Sequence, residues 1–300
     1  MKKFDCTLYY DEDLILDLRL NILNKHFDKF IICEAKYTHS GREKKLNFDI
    51  KKFSNFKNKI IYVVQENEPE NIIYEKKENN INVEHPNNWR LNSVRRIAHQ
   101  RNKLIEALDV ASKEDFIFYS DNDEIPNMDE FNQLQEKNKI IIFEQKLFYY
   151  KFNLLYDRIF WYGTRAVRKK DLIDFEWIRQ IKPKKYPFFR ADVFFKKNKY
   201  IDIKILKNGG WHFTRVLSPE KIHEKELDAE HHDEYRASKK DVNKIKDLIK
   251  RRVIDHNHLA DSKEQKYGEE FKLKYYEDRY LPEYIRNNKD IYKDYLDIHF

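Results

Sequence analysis

The chain of 300 residues has little cysteine, little glycine and no long apolar run. Its two cysteines, Cys6 and Cys33, each lie in an apolar stretch, so neither a disulfide framework nor a cysteine-rich zinc site can be built. No stretch approaches the ~18 consecutive apolar residues of a membrane-spanning helix, and the N-terminus becomes charged before any signal-length apolar segment. These absences predict a soluble, cytoplasmic protein in a reducing compartment.

Charge of either sign is not segregated in this sequence. Lys and Arg number 59 against 52 Asp and Glu, a formal net charge of +7, and both signs are spread over the whole length. A nucleic-acid-binding protein more often has a concentrated basic face, so we expect no nucleic-acid partner, and the excess points weakly to an anionic ligand. Aromatic residues make up 15% of the chain, which predicts a globular protein despite its 37% charged residues.

Strand and helix patterns alternate through the first 120 residues. Residues 4–10 are predicted to form a strand, and apolar runs typical of strands buried on both faces follow at 30–33, 60–64 and 116–120. Apolar residues at helical spacing follow residue 13 and recur across 94–108. This order predicts an α/β fold, a three-layer sandwich with a mainly parallel central sheet, whose ligands bind beyond the carboxyl ends of the strands.

The pattern changes in the second half of the chain. Separate strands are predicted at 140–143, 148–152 and 160–162, with a further short strand at 211–213, and the polar residues 66–88 are predicted to form a long loop. From residue 218 onward the sequence indicates mostly helix. We therefore expect one main domain, residues 1–216, with a helical C-terminal region, 217–300, packed on it.

The most informative motif is Asp121-Asn122-Asp123-Glu124, directly after the fourth predicted strand. This position points its carboxylates into the crevice where such a sheet binds its ligand. One carboxylate could coordinate a divalent cation that bridges a diphosphate, while the other binds a ribose hydroxyl or a metal-bound water. The alternative is a solvated turn and helix cap before Pro126. The short D-x-D spacing alone does not decide between them.

Several segments occur along the chain in a fixed order: Phe4-Asp5-Cys6, Arg19-Leu20-Asn21, residues 34–41, Gln100-Arg101-Asn102, residues 120–126, 210–214 and 281–284. In this order they resemble glycosyltransferase family 17, the β-1,4-mannosyl-glycoprotein 4-β-N-acetylglucosaminyltransferase family, and its soluble microbial and viral members most. The segments span nearly the full length, so the likeness is far more specific than any one of them.

The resemblance implies a GT-A fold of the Rossmann type and a UDP-sugar donor, with UDP-N-acetylglucosamine first. It also implies inversion at the anomeric carbon and a requirement for Mn²⁺ or Mg²⁺. It divides the main domain into a donor half, 1–126, and an acceptor half, 127–216, and makes the acceptor a glycan or glycoconjugate. The chain lacks the N-terminal membrane anchor of the animal Golgi enzymes. The resemblance therefore predicts the donor better than it predicts their N-glycan acceptor.

The metal ligands expected from this resemblance are Asp123, Asp121 and His212. His212 follows two glycines that allow close backbone approach, so its imidazole could reach a metal or a phosphate. The alternative is a histidine at the edge of the core, hydrogen-bonded to backbone. In related GT-A enzymes a late histidine completes the metal shell, and this role is assigned to His212 by likeness.

Nucleotide contacts are expected at Glu34, Arg96, Arg101 and Asp121. Glu34 ends the second strand, where a carboxylate could accept from uracil or ribose donors. The guanidinium groups suit diphosphate oxygens, and Arg101 lies in a segment that matches the family. A solvated turn residue and solvated helix arginines are the alternatives.

An inverting transferase needs a carboxylate that accepts the proton of the acceptor hydroxyl. The candidates are Glu234, Asp174 and Glu124, with Glu176 as a further one, and Glu234 lies in a segment, 229–235, that resembles a family motif. A surface role is the alternative for any single carboxylate. Aromatic faces stack on sugar rings, so an aromatic platform could hold the acceptor sugar. Core packing explains each of its candidate members equally well: Tyr149, Tyr150, Trp161, Tyr162 and Trp177.

Two other classes of function remain open. A metal-dependent nucleotidyl or phosphoryl transferase also places paired aspartates after a strand, but it would form pyrophosphate or hydrolyse nucleotides. A non-catalytic carbohydrate- or RNA-binding protein would bind without a metal, with a steep salt dependence for RNA. In the C-terminal region, a homodimer contact is the alternative to a solvated pair of helices.

Overall fold

A computed structural model describes residues 1–76, 82–133, 138–184, 186, 199, 202–259 and 267–298. The main sheet contains β1 (Lys3–Tyr9), β2 (Lys29–Ala35), β3 (Ile60–Gln65), β6 (Phe116–Tyr119), β7 (Glu124–Pro126), β8 (Ile140–Tyr149), β9 (Leu154–Arg168), β10 (Ile203–Leu206), β11 (Gly210–Thr214) and β14 (Lys274–Tyr275). Two small hairpins are formed by β4 (Glu75–Lys76) with β5 (Asn82–Val83), and by β12 (Val253–His256) with β13 (Tyr267–Lys272).

The N-terminal half of the main sheet is parallel. Its strands lie in the order β3-β2-β1-β6, with Cys6 opposite Ile31 on one side and Tyr119 on the other. Each strand is apolar on both faces because helices cover both sides of the sheet. Among the described strands of this sheet, five of the nine pairings are parallel, so the predicted three-layer α/β architecture with a mainly parallel sheet is confirmed.

The other half of the sheet is built on two long antiparallel strands. β9 pairs with β6 and β8, and β8 pairs with β11 and β10 on its other edge. The sequence predicts separate strands at 140–143 and 148–152, whereas β8 runs unbroken from Ile140 to Tyr149 and Tyr150 then leaves it with a φ of 65°. Polar residues in the middle of β8 interrupt the apolar pattern, so the sequence alone suggests two strands. One of them, Gln145, donates to the Thr164 hydroxyl on β9 at 3.2 Å.

Two apolar cores lie on opposite faces of the sheet. One face packs against α1 (Asp13–Leu23), α3 (Met128–Asn132), α8 (Glu283–Asn287) and α9 (Lys289–Tyr292). The other packs against the 3₁₀ segment Leu104–Val110 and α4 (Phe175–Gln180), and α2 (Trp89–Lys103) lies against β2 and α4. Alternate residues of one strand serve the two cores; Phe118 faces the first and Tyr119 the second.

The C-terminal region combines helices with a hairpin. α5 (Pro219–Asp228), α6 (His232–Ser238) and α7 (Val242–Arg251) precede β12 and β13, and α5, α7 and the hairpin share a third core that includes Ile222, Ile245 and Phe271. The sequence indicates mostly helix here, and the hairpin departs from that expectation. Within the described ranges, no helix is both long and apolar enough to cross a membrane.

Candidate active site

The acidic run lies where the parallel strands end. β6 stops at Tyr119, Asn122 and Asp123 form a turn, and Glu124 begins β7. β7 pairs antiparallel with β11, which places His212 directly opposite Glu124. The sheet therefore brings a histidine from the second half of the chain to the acidic turn.

Arg19 holds this turn from behind. Its fully buried guanidinium donates to the Asp5 carboxylate at 2.6 and 2.7 Å, to the Ser120 hydroxyl at 2.5 Å and to the Glu124 carbonyl oxygen at 2.7 Å. It also lies 3.3 and 3.4 Å from two carbonyl oxygens within the turn. One planar group thus connects α1 and β1 to both ends of the turn and fixes its backbone.

A second arginine, Arg179 at the end of α4, neutralises two of the acidic side chains. Its Nη2 lies 2.7 Å from Asp121 Oδ2 and 2.9 Å from Glu124 Oε1, and its Nη1 lies 3.0 Å from Glu124 Oε2. Burial opposes ionisation of Asp121, but the combined effect of Arg179, Arg101 and the Tyr119 hydroxyl outweighs it and lowers the pKa of Asp121. Glu124 is fully buried and also accepts from the Trp161 indole N–H at 2.6 Å. Asp121 and Glu124 are therefore both committed to Arg179.

Replacing Arg179 with Met is expected to lower the free energy of unfolding by about 2 kcal/mol, because it leaves buried carboxylate oxygens without their charged donor. Urea denaturation of the purified variant measures this. Adding Glu124→Gln to the variant removes one of the unpaired charges, so the double variant should lose less than the sum of the two single changes. Strict additivity of the two losses would show that Arg179 and Glu124 do not interact as described.

The third acid, Asp123, faces His212. Their closest atoms, Asp123 Oδ1 and His212 Nε2, are 3.4 Å apart, and the Asp123 carbonyl oxygen accepts from the Phe213 N–H at 2.9 Å. Burial works against the charged form of each, yet their mutual attraction lowers the pKa of Asp123 and raises that of His212. In the described part of the chain, the buried Nδ1 of His212 has no hydrogen-bond partner.

Asp123 and His212 lie at a cavity of about 330 Å³ at the carboxyl edge of the sheet. One apolar wall comes from the ends of β1 and β2 and from α1, and includes Leu8, Tyr9, Ile15 and Ala35. Its polar lining includes His39, Lys44, Gln100, Asp121, Lys225 and Glu230. Burial lowers the pKa of His39 to about 4, so this imidazole is neutral near pH 7. The cavity therefore offers an apolar slot next to a paired carboxylate and imidazole.

The segment of α5 and α6, residues 219–238, covers one side of the cavity. We call it the cap. Lys225 lies 2.5 Å from Glu12, and Asp228 accepts from the Ser40 hydroxyl at 2.6 Å. The remaining contacts with the N-terminal half include an ion pair of Asp228 with Arg42, one of Asp233 with Arg90 at 2.5 Å and a bond between His232 and Ser93 at 3.2 Å. Polar groups thus attach the cap, and it places Lys225 and Glu230 at the cavity.

Two of the residues expected to contact the nucleotide have other partners. The fully buried Glu34 carboxylate accepts from the Asn47 and Phe48 backbone N–H groups at 2.8 and 3.0 Å and from the Tyr62 hydroxyl at 2.8 Å, and it pairs with Lys44. It lies behind the cavity wall and orders the loop that carries Lys44. Arg96 is paired with Glu68 at 2.5 Å and with Glu84.

Of the remaining predicted residues, Arg101 borders the acidic turn, while Asp174 and Glu234 have partners elsewhere. Arg101 donates to Tyr119 at 3.0 Å and to Glu176 at 2.7 Å, and its Nη2 is 3.9 Å from Asp121 Oδ1, so it borders the turn. Asp174 caps α4 by accepting from the Trp177 N–H at 2.6 Å. Glu234 lies on the cap, 3.0 Å from Arg90. Neither Asp174 nor Glu234 lines the cavity.

The predicted aromatic residues do not form one platform. The Trp161 ring lies 4.8 Å from the His212 ring, centroid to centroid, and is therefore next to the Asp123 pair. Tyr149, Tyr150 and Trp177 are buried in the protein, while Tyr162 donates to Glu144 at 3.1 Å. Trp161 is thus the member of the set that borders the site.

No three His, Cys, Asp or Glu side chains converge as a metal site within the residues that the structure describes. The arrangement at the turn offers two such groups, Asp123 and His212. A cation held there would take its other ligands from a bound substrate or from water.

Comparison with known proteins gives a family match and similarities to solved structures. The model of a family described as glycosyltransferase family 17 matches residues 1–183. No protein of curated function matches the chain. The solved structure of the inositol-1-phosphate CTP transferase from T. maritima is similar with 10% identity, over 78% of this chain and 96% of that chain, at a TM-score of 0.33.

Proposed function

The chain belongs to glycosyltransferase family 17, and from that membership we propose that it moves a sugar, N-acetylglucosamine first, from a UDP-sugar to a glycan or glycoconjugate. The observation that supports this proposal most is the Asp123–His212 pair beside a cavity of about 330 Å³. The cavity lies at the carboxyl ends of parallel strands, where α/β sheets bind nucleotides. We propose that the apolar wall formed by Leu8, Tyr9 and Ala35 receives the uridine.

A divalent cation, Mn²⁺ or Mg²⁺, fits the Asp123–His212 pair. Carboxylate oxygen suits both ions, imidazole nitrogen suits Mn²⁺ better than Mg²⁺, and diphosphate oxygens and water would complete the coordination. When bound, the cation neutralises charge on the UDP leaving group. Asp121 lies beside this pair and is not proposed as a ligand, since its Oδ2 is bonded to Arg179 and its Oδ1 accepts from Tyr119 at 3.1 Å.

On the acceptor side, Glu124 acts as a positioning residue. Its oxygens accept from Arg179 and from the Trp161 indole, and so orient the indole beside His212. Aromatic faces stack on sugar rings. We propose that the acceptor sugar stacks on Trp161, with its hydroxyl directed towards the anomeric carbon of the donor.

Binding of a UDP-sugar in the presence of Mn²⁺ is the expected result of a thermal-shift screen. We expect UDP and at least one of UDP-N-acetylglucosamine, UDP-N-acetylgalactosamine, UDP-glucose and UDP-galactose to raise the melting temperature, because ligands that bind only the folded state stabilise it. EDTA should abolish the shift. UDP release, measured with each donor and oligosaccharide acceptors, then reports turnover.

The same screen distinguishes the other reactions. Pyrophosphate formation from a nucleoside triphosphate would indicate a nucleotidyl transferase, and binding unaffected by EDTA would indicate a non-catalytic protein. The absence of a response to every UDP-sugar would contradict the proposed function.

A further inference from the structure

The carboxylate of Glu230 lies at the cavity. It lies in the loop between α5 and α6, and it lines the cavity together with Asp121 and Gln100. In the described part of the chain, its carboxylate makes no hydrogen bond and no ion pair. The other acidic side chains of the cavity are paired: Glu12 with Lys225, Asp121 with Arg179, Asp123 with His212 and Asp228 with Arg42. Glu230 therefore has capacity to accept hydrogen bonds from a ligand.

Charged groups from three elements of the fold act on Glu230. Burial raises the pKa of Glu230, and the charged groups that act on it are Arg101, Asp121, Arg90 and Arg179. They lie on α2, on the acidic turn and on α4. Glu230 thus shares the cavity with Asp121 of the acidic turn, and the charges of the nearby arginines act on it.

The chemistry of the donor limits what Glu230 can bind. A diphosphate is repelled by a carboxylate, and the proposed function puts the diphosphate at Asp123 and His212. The apolar wall suits the uracil ring. The hydroxyl groups of the sugar are hydrogen-bond donors, and a carboxylate is the side chain with the greatest capacity to accept from them.

We propose that Glu230 accepts hydrogen bonds from hydroxyl groups of the transferred sugar and so helps to select that sugar. This inference rests on the proposed function, which fixes the position of the diphosphate. A site built to bond a substrate hydroxyl discriminates against ligands without it, because the site's polar group is then left buried and unpaired. Glu230 is a specificity-determining residue in this scheme and takes no part in bond breaking.

Calorimetric titration of Glu230→Ala and Glu230→Gln with UDP and with UDP-N-acetylglucosamine, both with Mn²⁺, tests the proposal. UDP lacks the sugar, so its Kd should stay within twofold of wild type in both variants. The Kd for UDP-N-acetylglucosamine should rise about tenfold or more in Glu230→Ala, the factor expected for a hydrogen bond to a charged group. Glu230→Gln keeps one acceptor oxygen and should lie between wild type and Glu230→Ala.

Glu283→Gln, an exposed glutamate on α8, is the matched control and should change neither Kd. Equal weakening of UDP and UDP-N-acetylglucosamine in Glu230→Ala would overturn the proposal, because Glu230 would then contact the nucleotide or support the fold. Unchanged affinity for both would overturn it as well. Failure of the proposed function gives a different result, since wild-type protein would then bind neither UDP nor any of the four UDP-sugars.

Discussion

Asp123→Ala is expected to abolish metal-dependent binding of UDP-sugars and to reduce UDP release by about 10²–10³-fold, the loss typical of removing one group that stabilises charge in a transition state. Asp123 is the acid of the turn that does not pair with Arg179; its partner is His212, 3.4 Å away. Its loss would leave a cation with one protein ligand. Calorimetry with Mn²⁺ and UDP, alongside an assay of UDP release, measures both effects.

Asp129→Ala is the matched control for this variant. Asp129 is also acidic and lies six positions along the chain, but its side chain is 72% exposed, and the imidazole of His26 is 3.8 Å away. It should behave as wild type. His212→Ala should resemble Asp123→Ala, and thermal unfolding of both variants checks that they fold. Activity of Asp123→Ala within threefold of wild type would rule out its metal-binding role.

The largest loss of stability is expected from Arg19→Ala. Removing this guanidinium leaves the fully buried Asp5 charge without a partner and three carbonyl oxygens of the turn without their donor. Breaking a buried ion pair from one side costs about 3–5 kcal/mol. The loss is measured as the difference in free energy of unfolding from urea titrations. Arg19→Lys should recover little of it, since an ammonium lacks the planar fork that bonds Asp5 twice.

Arg251→Ala provides the comparison for Arg19→Ala. Arg251 also bonds carboxylates through several nitrogens, to Asp247 at 2.8 and 2.9 Å and to Glu270 at 2.8 Å, but it lies on the surface. Exposed ion pairs contribute little, so its unfolding curve should be close to that of wild type. Similar destabilisation by the two changes would show that burial is not the reason why the contacts of Arg19 stabilise the fold.

The parallel half of the sheet follows closely from the sequence. The predicted strands at 30–33 and 60–64 correspond to Lys29–Ala35 and Ile60–Gln65, because strands covered on both faces are apolar without interruption. The position of the acidic run also follows from this pattern, since it is the first polar segment after such a strand. β8 was harder to predict because polar side chains in its middle are buried by partners from distant parts of the chain.

The residues that organise the site could not be assigned from local pattern. Arg179 bonds Asp121 and Glu124 across more than 50 positions, and nothing in residues 175–180 indicates this contact. For Arg19, the sequence does contain a signal of a buried contact. Arg19 lies on the buried stripe of α1 with Leu16, Leu20 and Leu23, and a charged residue on such a stripe needs a buried partner. The position of Glu34 at the end of a strand predicts a ligand contact. In the structure its oxygens bond to the loop that carries Lys44.

The cap is synthesised later than the part of the sheet that it covers. Its contacts join residues far apart in the chain; Ser40 and Asp228, for example, are separated by 188 positions. The strands β1, β2, β3 and β6 are all present once residue 119 has left the ribosome, whereas His212, Lys225 and Glu230 follow about a hundred residues later. Because synthesis proceeds at about 5–20 residues per second, the carboxyl edge of the sheet stays uncovered for several seconds or more. A nascent chain that ends at residue 183, where the family match ends, carries the acidic turn but lacks His212 and the cap, which complete the cavity.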